Sequence, residues 1–377
     1  MDVRVLDVMT SYYRERFGNP SSSHSLGVQS QEALESSRKE IASFVGAKPS
    51  EIVFTSGATE SINMALKGVA YRNKTQGDQI VHSSIEHMAV INTCRYLARQ
   101  GFKVDSIPVD HYGIVNLNTL QDIVSNRTLV VSIMYANEEI GTIEPICEAT
   151  ETVHRAGAYL HVDAAAAVAQ IPIDVGRKEI DLMSFSSNDL YGPKGVGTLY
   201  IREGTRIEPF THGGGQERGL RSGTENIPGI VGMAKAAEIA RAEMADESLR
   251  LKGFRDKLIE GILSSVKEAY LNGHPTERLP NNVNIRFSYV EGESLILSLD
   301  MERIQVSSGS ACTSKTLEPS HVLRAIGLKP EEAHGSIVFT FGRESTHGDV
   351  EYVLDVLPPI VKRLRIISPL TPKDFAV

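Results

Sequence analysis

Seven short apolar runs between Ile52 and Ile201 alternate with stretches of helical periodicity, and this alternation constrains the fold more than any other feature. The runs are IVFTS (52–56), QIVHSS (79–84), KVDSIPV (103–109), TLVVSIMY (128–135), YLHVD (159–163), DLMSFS (181–186) and VGTLYI (196–201). Helical patterns include Val3–Phe17, Glu86–Arg99 and Glu144–Ala156. Strands that alternate with helices form βαβ units, in which helices cover a largely parallel sheet. The pattern predicts an α/β domain with a mainly parallel seven-stranded sheet.

A second, smaller domain is indicated after a long helical pattern at 229–265. Shorter patterns follow it: strand-like 281–289 and 336–341, and helix-like 293–300 and 349–367. This succession is typical of an α+β domain. We place the boundary near Glu247, which gives a large α/β domain at 1–247 and a small α+β domain at 248–377.

Composition excludes several classes of protein. A formal net charge of −8 argues against a nucleic-acid binder that uses its whole surface, and 41% hydrophobic residues argue against wholesale disorder. No apolar run reaches the roughly 18 residues of a membrane span, and the N-terminus lacks the apolar stretch of a signal peptide. Three cysteines are too few for a disulfide framework. We therefore expect a cytoplasmic protein with neither membrane nor nucleic acid as partner.

Two segments are candidates for binding an anion. Thr55–Ser61, with the sequence TSGATES, follows a predicted strand and opens a predicted helix. The first N–H groups of a helix have no intrahelical acceptor and bind phosphate, although a plain helix cap explains the same residues. The glycine-rich segment 212–224 combines bare backbone with Arg218 and Arg221, and it offers a second anion site or an ordinary turn.

Two polar residues stand at the ends of predicted strands. Asp163 closes the run YLHVD, and His87 follows the run QIVHSS at the start of a helical pattern. In open α/β sheets, ligands bind beyond the carboxyl ends of the strands. A carboxylate there can hold a protonated ring nitrogen or a metal, and an imidazole can stack on a planar ligand. A helix cap and a structural histidine are the simpler interpretations.

Cys312 lies within a run of small residues, SSGSACTS at 307–314. Such a composition indicates an exposed loop, whereas a free cysteine is usually buried. A thiol in this setting suits nucleophilic attack, sulfur transfer or metal ligation. Cys94 and Cys147 fall in helical patterns, and we interpret both as packing residues.

Taken together, these stretches resemble the cysteine desulfurases, fold-type I enzymes that use pyridoxal phosphate (PLP). The resemblance covers nearly the whole chain in one order: FGNPSSSHSLG, FTSGATES, EHMAVI, HVDA, YGPKGVG, HGGGQERGLRSGT, YVEGESL, SSGSACTS and LRAIGL. It implies a PLP-transferase-like fold and a homodimer. It also implies that His87 stacks on the cofactor ring, that Asp163 pairs with the ring nitrogen, and that Cys312 accepts sulfur as a persulfide. The implied phosphate contacts are Ala58, Thr59, Ser186 and, from the other subunit, Thr224.

Five positions depart from the family pattern. The family has Ser-x-His-Lys before its Tyr-Gly-Pro-Lys-Gly turn, and this chain has Ser-Ser-Asn-Asp. Asn188 therefore replaces the His, and Asp189 replaces the Lys that forms the Schiff base. The remaining replacements are Ala166 for a Gln, Glu138 for the second Asn of Asn-Asn-Glu, and Val338 for the Arg expected to bind the substrate carboxylate.

These departures predict that PLP is not covalently bound, because a carboxylate forms no imine. Ala166 removes a hydrogen bond to the cofactor ring, and Val338 removes a bidentate contact with a carboxylate. Glu138 and Asp189 add negative charge to the pocket and disfavour anionic ligands unless they are protonated. Lys194, in the turn that follows Asp189, is the remaining candidate for the missing base.

The sequence favours a desulfurase-like homodimer of iron–sulfur cluster assembly without ordinary PLP catalysis. The run Arg363–Leu370 resembles the family segment on which the scaffold protein docks. Cys312 is then a sulfur acceptor or the ligand of a [2Fe–2S] cluster shared with that partner. The alternative is an active PLP-dependent cysteine desulfurase, which converts L-cysteine to L-alanine and persulfide sulfur. A third interpretation is a metal or small-ligand sensor that uses Asp163, Asp189, Glu138 and His87.

Overall fold

The computed structural model describes residues 1–309, 319–373 and 375, and the chain forms two compact units. The first unit comprises Met1–Ile107, Leu117–Tyr135 and Glu144–Met244, and the second comprises Pro108–Asn116, Ala136–Ile143 and Ala245–Val377. The chain passes from the first unit to the second for the last time after Met244, three residues before the predicted division at Glu247. The prediction does not assign the segments 108–116 and 136–143 to the second unit. These short segments carry no helical or strand periodicity from which their partners could be deduced. As a statement about folding domains, the division stays a prediction.

A seven-stranded sheet forms the centre of the first unit. Its strands are β1 (Ile52–Thr55), β2 (Gln79–Ser83), β3 (Lys103–Ile107), β4 (Thr128–Ser132), β5 (Tyr159–Asp163), β6 (Leu182–Ser186) and β7 (Gly197–Ile201). Their order across the sheet is β1-β7-β6-β5-β4-β2-β3. Strand β7 runs antiparallel to β1 and β6, and the other pairs are parallel. The predicted mainly parallel seven-stranded sheet is confirmed, and each strand coincides with one apolar run.

Burial explains why most strands read as continuous apolar runs. Every residue of β1, β4, β6 and β7 is buried, as expected for strands of a sheet covered on both faces. Strand β3 lies at one edge, where the exposed Lys103 pairs with Asp105 at 2.9 Å. Charged side chains on an edge strand oppose pairing with another chain.

The helices of the first unit are α1 (Val3–Arg14), α2 (Ser25–Val45), α3 (Ala58–Arg72), α4 (Met88–Arg99), α5 (Leu117–Ile123), α6 (Ile146–Arg155) and the start of α7 (Ile227–Ser265). Helix α1 ends before the predicted Phe17. Helix α4 begins at Met88 because His87 is its N-cap. Ile62, Leu66 and Val69 recur at helical spacing on α3 and are buried against the sheet. Each such burial stabilises the fold by about 1.5–3 kcal/mol.

The second unit contains a three-stranded antiparallel sheet of order β10-β9-β8. Its elements are β8 (Ala269–Leu271), β9 (Asn282–Phe287), α8 (Gly292–Met301), α9 (His321–Ala325), α10 (Pro330–His334), β10 (Ser336–Thr340) and α11 (His347–Ile367). The sequence predicts β9 and β10 but not β8, whose three residues are too short to show a period. Phe287, Leu295 and Leu357 lie in its core. In the part of the chain that is described, no helix is long and apolar enough to cross a membrane.

Candidate cofactor site

The N-terminus of α3 forms an open cradle for an anion. Gly57 precedes the helix and supplies no side-chain cap, so the N–H groups of Ala58 and Thr59 have no acceptor within the helix. Opposite this turn, a Cβ on Gly197 of β7 would lie 2.5 Å from the Cα of Gly57. Only glycine therefore permits so close an approach of the turn to the sheet. Ala58 is half-buried, and Thr59 is exposed at the mouth of the cradle.

The glycine-rich segment 212–224 is tied to the same helix start. Arg221 Nε donates to Glu60 Oε1 at 2.9 Å, and Ser56 N donates to Glu60 Oε2 at 2.6 Å. Although burial acts to raise it, the pKa of Glu60 is lowered by these hydrogen bonds. Thr224 is exposed and borders a small cavity of about 100 Å³ that Ser56 and Arg221 also line. Its predicted contact with the phosphate of a second subunit stays a prediction.

Asp163 and His87 lie at the carboxyl ends of strands, as the sequence predicts. Asp163 ends β5 with only 5% of its surface exposed, and its Oδ1 accepts a hydrogen bond from Ala165 N at 3.1 Å. His87 follows β2, and its Nδ1 accepts from Ala89 N at 3.1 Å. An imidazole whose Nδ1 is an acceptor carries its proton on Nε2 when neutral. Both residues therefore have fixed orientations.

Asp189 lies in a short 3₁₀ turn, Asn188–Leu190, just after β6. Ser186 Oγ lies 2.5 Å from Asp189 Oδ2 and 2.9 Å from Asn188 Oδ1, and Asn188 Nδ2 donates to Asp189 Oδ1 at 3.0 Å. Burial, with a contribution from the negative charge of Asp163, raises the pKa of Asp189 to about 6. The hydroxyl of Ser186, assigned by resemblance to the phosphate, thus contacts a carboxyl group in this structure.

Two other positions that the sequence singles out, Ala166 and Lys194, also lie in the first unit. Ala166 is half-buried just beyond β5, and its methyl group forms no hydrogen bond. Lys194 is exposed in the turn between the 3₁₀ turn and β7.

The remaining predicted residues belong to the second unit or fall outside the described chain. Glu138 is exposed, and its backbone oxygen accepts from Asn282 Nδ2 at 2.9 Å. Val338 is buried on β10 and exchanges backbone hydrogen bonds with Ser307, at the start of the segment that contains Cys312. Cys312 itself lies outside the described residues.

The two other cysteines, Cys94 and Cys147, differ in burial. Cys94 is fully buried, as predicted, and burial raises its pKa to about 12. Cys147 is exposed, so its interpretation as a packing residue is wrong. It is the second residue of α6, and Lys178 Nζ donates a hydrogen bond to its sulfur at 3.6 Å.

Sequence reasoning missed two buried carboxyl groups that directly adjoin candidate site residues in the chain. Glu86, adjacent to His87, is fully buried in the first unit and accepts hydrogen bonds from Ser83 and Met134. Glu139, in the second unit, is also buried, and Ser320 Oγ donates to its Oε2 at 2.6 Å. A charged residue beside a candidate site residue was the available signal in both cases, but no sequence pattern distinguishes a buried carboxyl group from an exposed one.

The first unit fits PLP at two of the three points where this cofactor requires contacts. The open N-terminus of α3 suits its phosphate, and the buried Asp163 suits a protonated ring nitrogen. The third point, an amine for a covalent bond, stays a prediction: the family resemblance assigns that position to Asp189, and a carboxylate forms no imine. Across residues 1–309, 319–373 and 375, no group of three or more His, Cys, Asp or Glu side chains is arranged to hold a metal ion. The structure thus gives the metal-sensor interpretation no support.

Comparison with known proteins gives consistent relatives. The chain is 54% identical over 370 residues to cysteine desulfurase IscS 1 of Archaeoglobus fulgidus, across 98% of this chain and 96% of that protein. It is 50% identical over 371 residues to cysteine desulfurase IscS of Methanosarcina thermophila, across 98% and 92% of the two chains. Among solved structures, a NifS-like protein matches with a TM-score of 0.90 at 40% identity, over 97% of each chain.

The fold agrees with these matches, because the seven-stranded sheet and its order are those of a fold-type I PLP enzyme. Residues 1–353 match the aminotransferase class-V family, which is most of the chain. This protein therefore belongs to the class-V aminotransferases.

Proposed function

We propose that this chain is a PLP-dependent cysteine desulfurase that supplies sulfur for iron–sulfur cluster assembly. Relatives named cysteine desulfurase, at 54% and 50% identity, favour this active enzyme over the docking protein without ordinary catalysis that the sequence favours. The structural observation that supports activity is Asp189. The residue that the resemblance assigns to the lysine position is a half-buried acid whose pKa is raised to about 6, so it holds and releases a proton near neutral pH.

The first unit binds the cofactor without a covalent bond in this proposal. The N–H groups of Ala58 and Thr59 bind the phosphate, Asp163 pairs with the ring nitrogen, and His87 stacks on the ring. When bound, PLP supplies the electron sink that the bond-breaking steps require. Because the phosphate is an anion, protonation of Asp189 also weakens the repulsion that its carboxylate would exert.

Asp189 acts as the proton carrier at Oδ2. Ser186 and Asn188 orient its carboxyl group through hydrogen bonds of 2.5 and 3.0 Å. General acid–base catalysis is most efficient when the pKa of the group lies near the working pH. The replacement of the family lysine thus removes the covalent bond to the cofactor but retains a titratable group at the same position.

Cys312 is the sulfur acceptor in this reaction, as the family resemblance implies. The Cβ–Sγ bond of L-cysteine breaks, and a sulfur–sulfur bond forms on Cys312. The proton of the Cys312 thiol balances the one gained by the Cβ of alanine. L-cysteine and one thiol thus give L-alanine and one persulfide, with no external oxidant.

Alanine production tests this function. The protein, supplied with PLP and L-cysteine under anaerobic conditions, should form many equivalents of L-alanine per subunit. Asp189→Asn should lower the rate by about 100-fold or more, since general acid–base catalysis typically contributes that much. Cys312→Ala should abolish the protein-bound persulfide. Cys147→Ala, which removes another exposed thiol, is the control and should keep the full rate. Less than one equivalent of alanine from the unmodified protein would contradict the proposal.

A second function, docking of a scaffold protein, is favoured by the end of α11. Ile366, Ile367 and Leu370 are 66%, 73% and 61% exposed, whereas Arg365 is buried and donates to Ser288 O at 3.0 Å. Exposed apolar side chains that adjoin one another are typical of a protein-binding surface. In this role Cys312 is the ligand of a [2Fe–2S] cluster shared with the scaffold, and the chain acts as a cytoplasmic homodimer.

Binding and cluster assembly test this second function. Replacing Ile366 and Ile367 with Asp should abolish scaffold binding in calorimetry, and Leu249→Asp, at an equally exposed leucine of α7, should not. Anaerobic cluster reconstitution with the scaffold should lose yield in Cys312→Ala. An unchanged cluster spectrum in that variant would exclude the ligand role.

A further inference from the structure

Glu86 places a carboxyl group where three elements of the first unit meet. It is fully buried and directly precedes His87 in sequence. Ser83 Oγ, at the end of β2, donates to its Oε1 at 2.6 Å, and Met134 N, just after β4, donates to the same oxygen at 2.7 Å. The turn that carries His87 is thus fastened to the neighbouring strand through one side chain.

The other oxygen of Glu86 begins a line of hydrogen bonds across the sheet. Ser132 Oγ lies 3.2 Å from Glu86 Oε2 and 2.9 Å from His161 Nδ1. His161 Nε2 lies 2.9 Å from Ser184 Oγ. Three adjacent strands, β4, β5 and β6, are joined in this way by side chains that are all completely buried.

Burial decides the protonation of this network. It raises the pKa of Glu86 well above its usual value and lowers the pKa of His161 to about 3, so burial favours the neutral form of both groups. Oε1 already accepts two hydrogen bonds, which leaves the proton on Oε2. Glu86 then donates to Ser132, Ser132 donates to His161 Nδ1, and His161 donates from Nε2 to Ser184. In this neutral form, each contact of the line has one donor and one acceptor.

We propose that Glu86 is a positioning residue for the ring end of the cofactor site, linking the turn of His87 to the strand that carries Asp163. His161 and Asp163 are two residues apart on β5 and therefore face the same side of the sheet. Glu86 is thus connected to one ring contact, His87, through the backbone, and through Ser132 and His161 to β5, the strand that ends at the other ring contact, Asp163. This inference rests on the proposed binding of PLP to the first unit.

Three substitutions separate this role from simple packing. Glu86→Gln keeps the shape of the neutral carboxyl group, with an oxygen to accept from Ser83 and Met134 and an NH₂ to donate to Ser132. Glu86→Leu fills the space but leaves the donors of Ser83 and Met134 without an acceptor. Ser132→Ala interrupts the line to His161 and leaves the contacts of Ser83 and Met134 intact.

The experiment compares these variants in two ways. Titration of PLP, followed by absorbance, should give equal affinities for Glu86→Gln and the unmodified protein. Glu86→Leu should lose about 10-fold or more in affinity, with a changed spectrum of the bound cofactor, and Ser132→Ala should lie between them. Without cofactor, NMR of labelled histidine side chains, with His87 assigned through His87→Asn, should show a shifted His87 signal in Glu86→Leu only.

The two readouts distinguish the possible failures. If the unmodified protein binds no PLP, the proposed function fails, and the His87 signal alone decides the positioning role. A folded Glu86→Leu variant with an unchanged His87 signal, or with unchanged affinity and spectrum where PLP binds, would overturn the inference. Loss of thermal stability alone, without either change, would show that Glu86 only packs the sheet.

Discussion

Ser186 Oγ lies 2.5 Å from Asp189 Oδ2 and 2.9 Å from Asn188 Oδ1, although one hydroxyl group has only one proton to donate. Asn188 is held in place because its Nδ2 donates to Asp189 Oδ1. Both contacts become hydrogen bonds when Asp189 carries a proton on Oδ2 and donates it to Ser186, which then donates to Asn188. Burial, and not hydrogen bonding with Ser186, is the main cause of the raised pKa of Asp189, because the hydrogen bonds from Ser186 act to lower it.

Replacing Asp189 with Asn should raise stability at neutral pH. The folded protein holds the proton of Asp189 up to a pKa of about 6, whereas an unfolded aspartate loses it near 3.8. Stability from this group is thus fully present below pH 3.8 and is lost as the pH rises through about 6. Asp189→Asn has no such loss and should be more stable at pH 8, by about 1–3 kcal/mol.

Denaturant unfolding from pH 4 to pH 8 measures this difference. The gap between Asp189→Asn and the unmodified protein should open with rising pH, and Asp122→Asn, at an exposed position of α5, serves as the comparison. A constant gap across the range would mean that Asp189 titrates as it does in the unfolded chain.

Restoring the lysine should restore a covalent bond to the cofactor. By the family resemblance, Asp189→Lys places an amine at the position of the Schiff-base lysine, and burial lowers the pKa of an amine and so increases its reactivity. Incubation with PLP followed by borohydride reduction should raise the mass of this variant by one cofactor and leave the unmodified protein unchanged. The adduct should persist when Lys194 is also replaced by Ala, and its loss there would place the reaction at Lys194.

The fold was predictable because buried strands keep their apolar runs. All seven strands of the large sheet were identified, including β7, whose antiparallel direction no apolar run reveals. The segments 108–116 and 136–143 belong to the second compact unit, which the predicted division at Glu247 does not anticipate, because short irregular connections carry no period. Where a segment has neither helical nor strand periodicity, its tertiary partners cannot be deduced from the residues alone.

The candidate site was predictable only for residues at the ends of elements. Asp163, His87 and Thr59 lie at such ends, and the periodicity that locates the elements also locates these residues. Glu86 and Glu139 differ because their importance depends on burial, which requires knowledge of what packs around them. His161 stands inside an apolar run and is equally compatible with a solvent-facing side chain. The pKa values of these groups are shifted by what packs around them, which residue type alone does not reveal.

Glu139 should make the stability of the protein depend on pH near 7. Burial raises its pKa to about 7 from an ordinary value of 4.5, although the hydrogen bond from Ser320 Oγ acts in the opposite direction. Stability from Glu139 is therefore present below pH 4.5 and is lost as the pH rises through about 7. Glu139→Gln should be more stable than the unmodified protein at pH 8 by about 1–3 kcal/mol, and equally stable near pH 4.

Unfolding of Glu139→Gln at a series of pH values checks this expectation. Glu293→Gln, at an exposed position on α8, serves as the matched control and should follow the unmodified protein throughout. Equal stabilities of Glu139→Gln and the control at pH 8 would show that the buried carboxyl group keeps an ordinary pKa.

Gly309 should tolerate no side chain, because a Cβ at that position would lie 1.6 Å from Glu139 Oε1. The Glu139 carboxyl group is confined by Ser320 and has little freedom to move away. Overpacking of this kind typically costs about 1–3 kcal/mol. Gly309→Ala should therefore lower the midpoint of thermal unfolding, and Gly253→Ala, at a helical glycine of the second unit with open space around it, should not lower it. Combining Gly309→Ala with Glu139→Ala should recover part of the loss.

Arg38 and Glu217 form a buried ion pair that holds the segment of Thr224 in place. Their side chains are 4% and 1% exposed, and Arg38 Nη2 lies 2.7 Å from Glu217 Oε1. Glu217 Oε2 also accepts from Phe54 N on β1 at 2.8 Å, although Glu217 adopts a left-handed backbone with φ of 48°. The pair thus offsets the cost of an unfavourable backbone conformation next to the cofactor cradle.

Arg38→Met should accordingly destabilise the protein by about 3–5 kcal/mol, because it leaves a buried carboxylate without its partner. The double variant with Glu217→Gln should regain part of this loss, since no unpaired charge then remains. The exposed pair of Lys48 and Glu203, at 2.6 Å, provides the comparison, and Lys48→Met should leave the unfolding midpoint unchanged. An equally small loss of stability in Arg38→Met and Lys48→Met would contradict the prediction. That result would mean that water reaches Glu217 and that backbone contacts, and not this ion pair, hold the segment that carries Thr224.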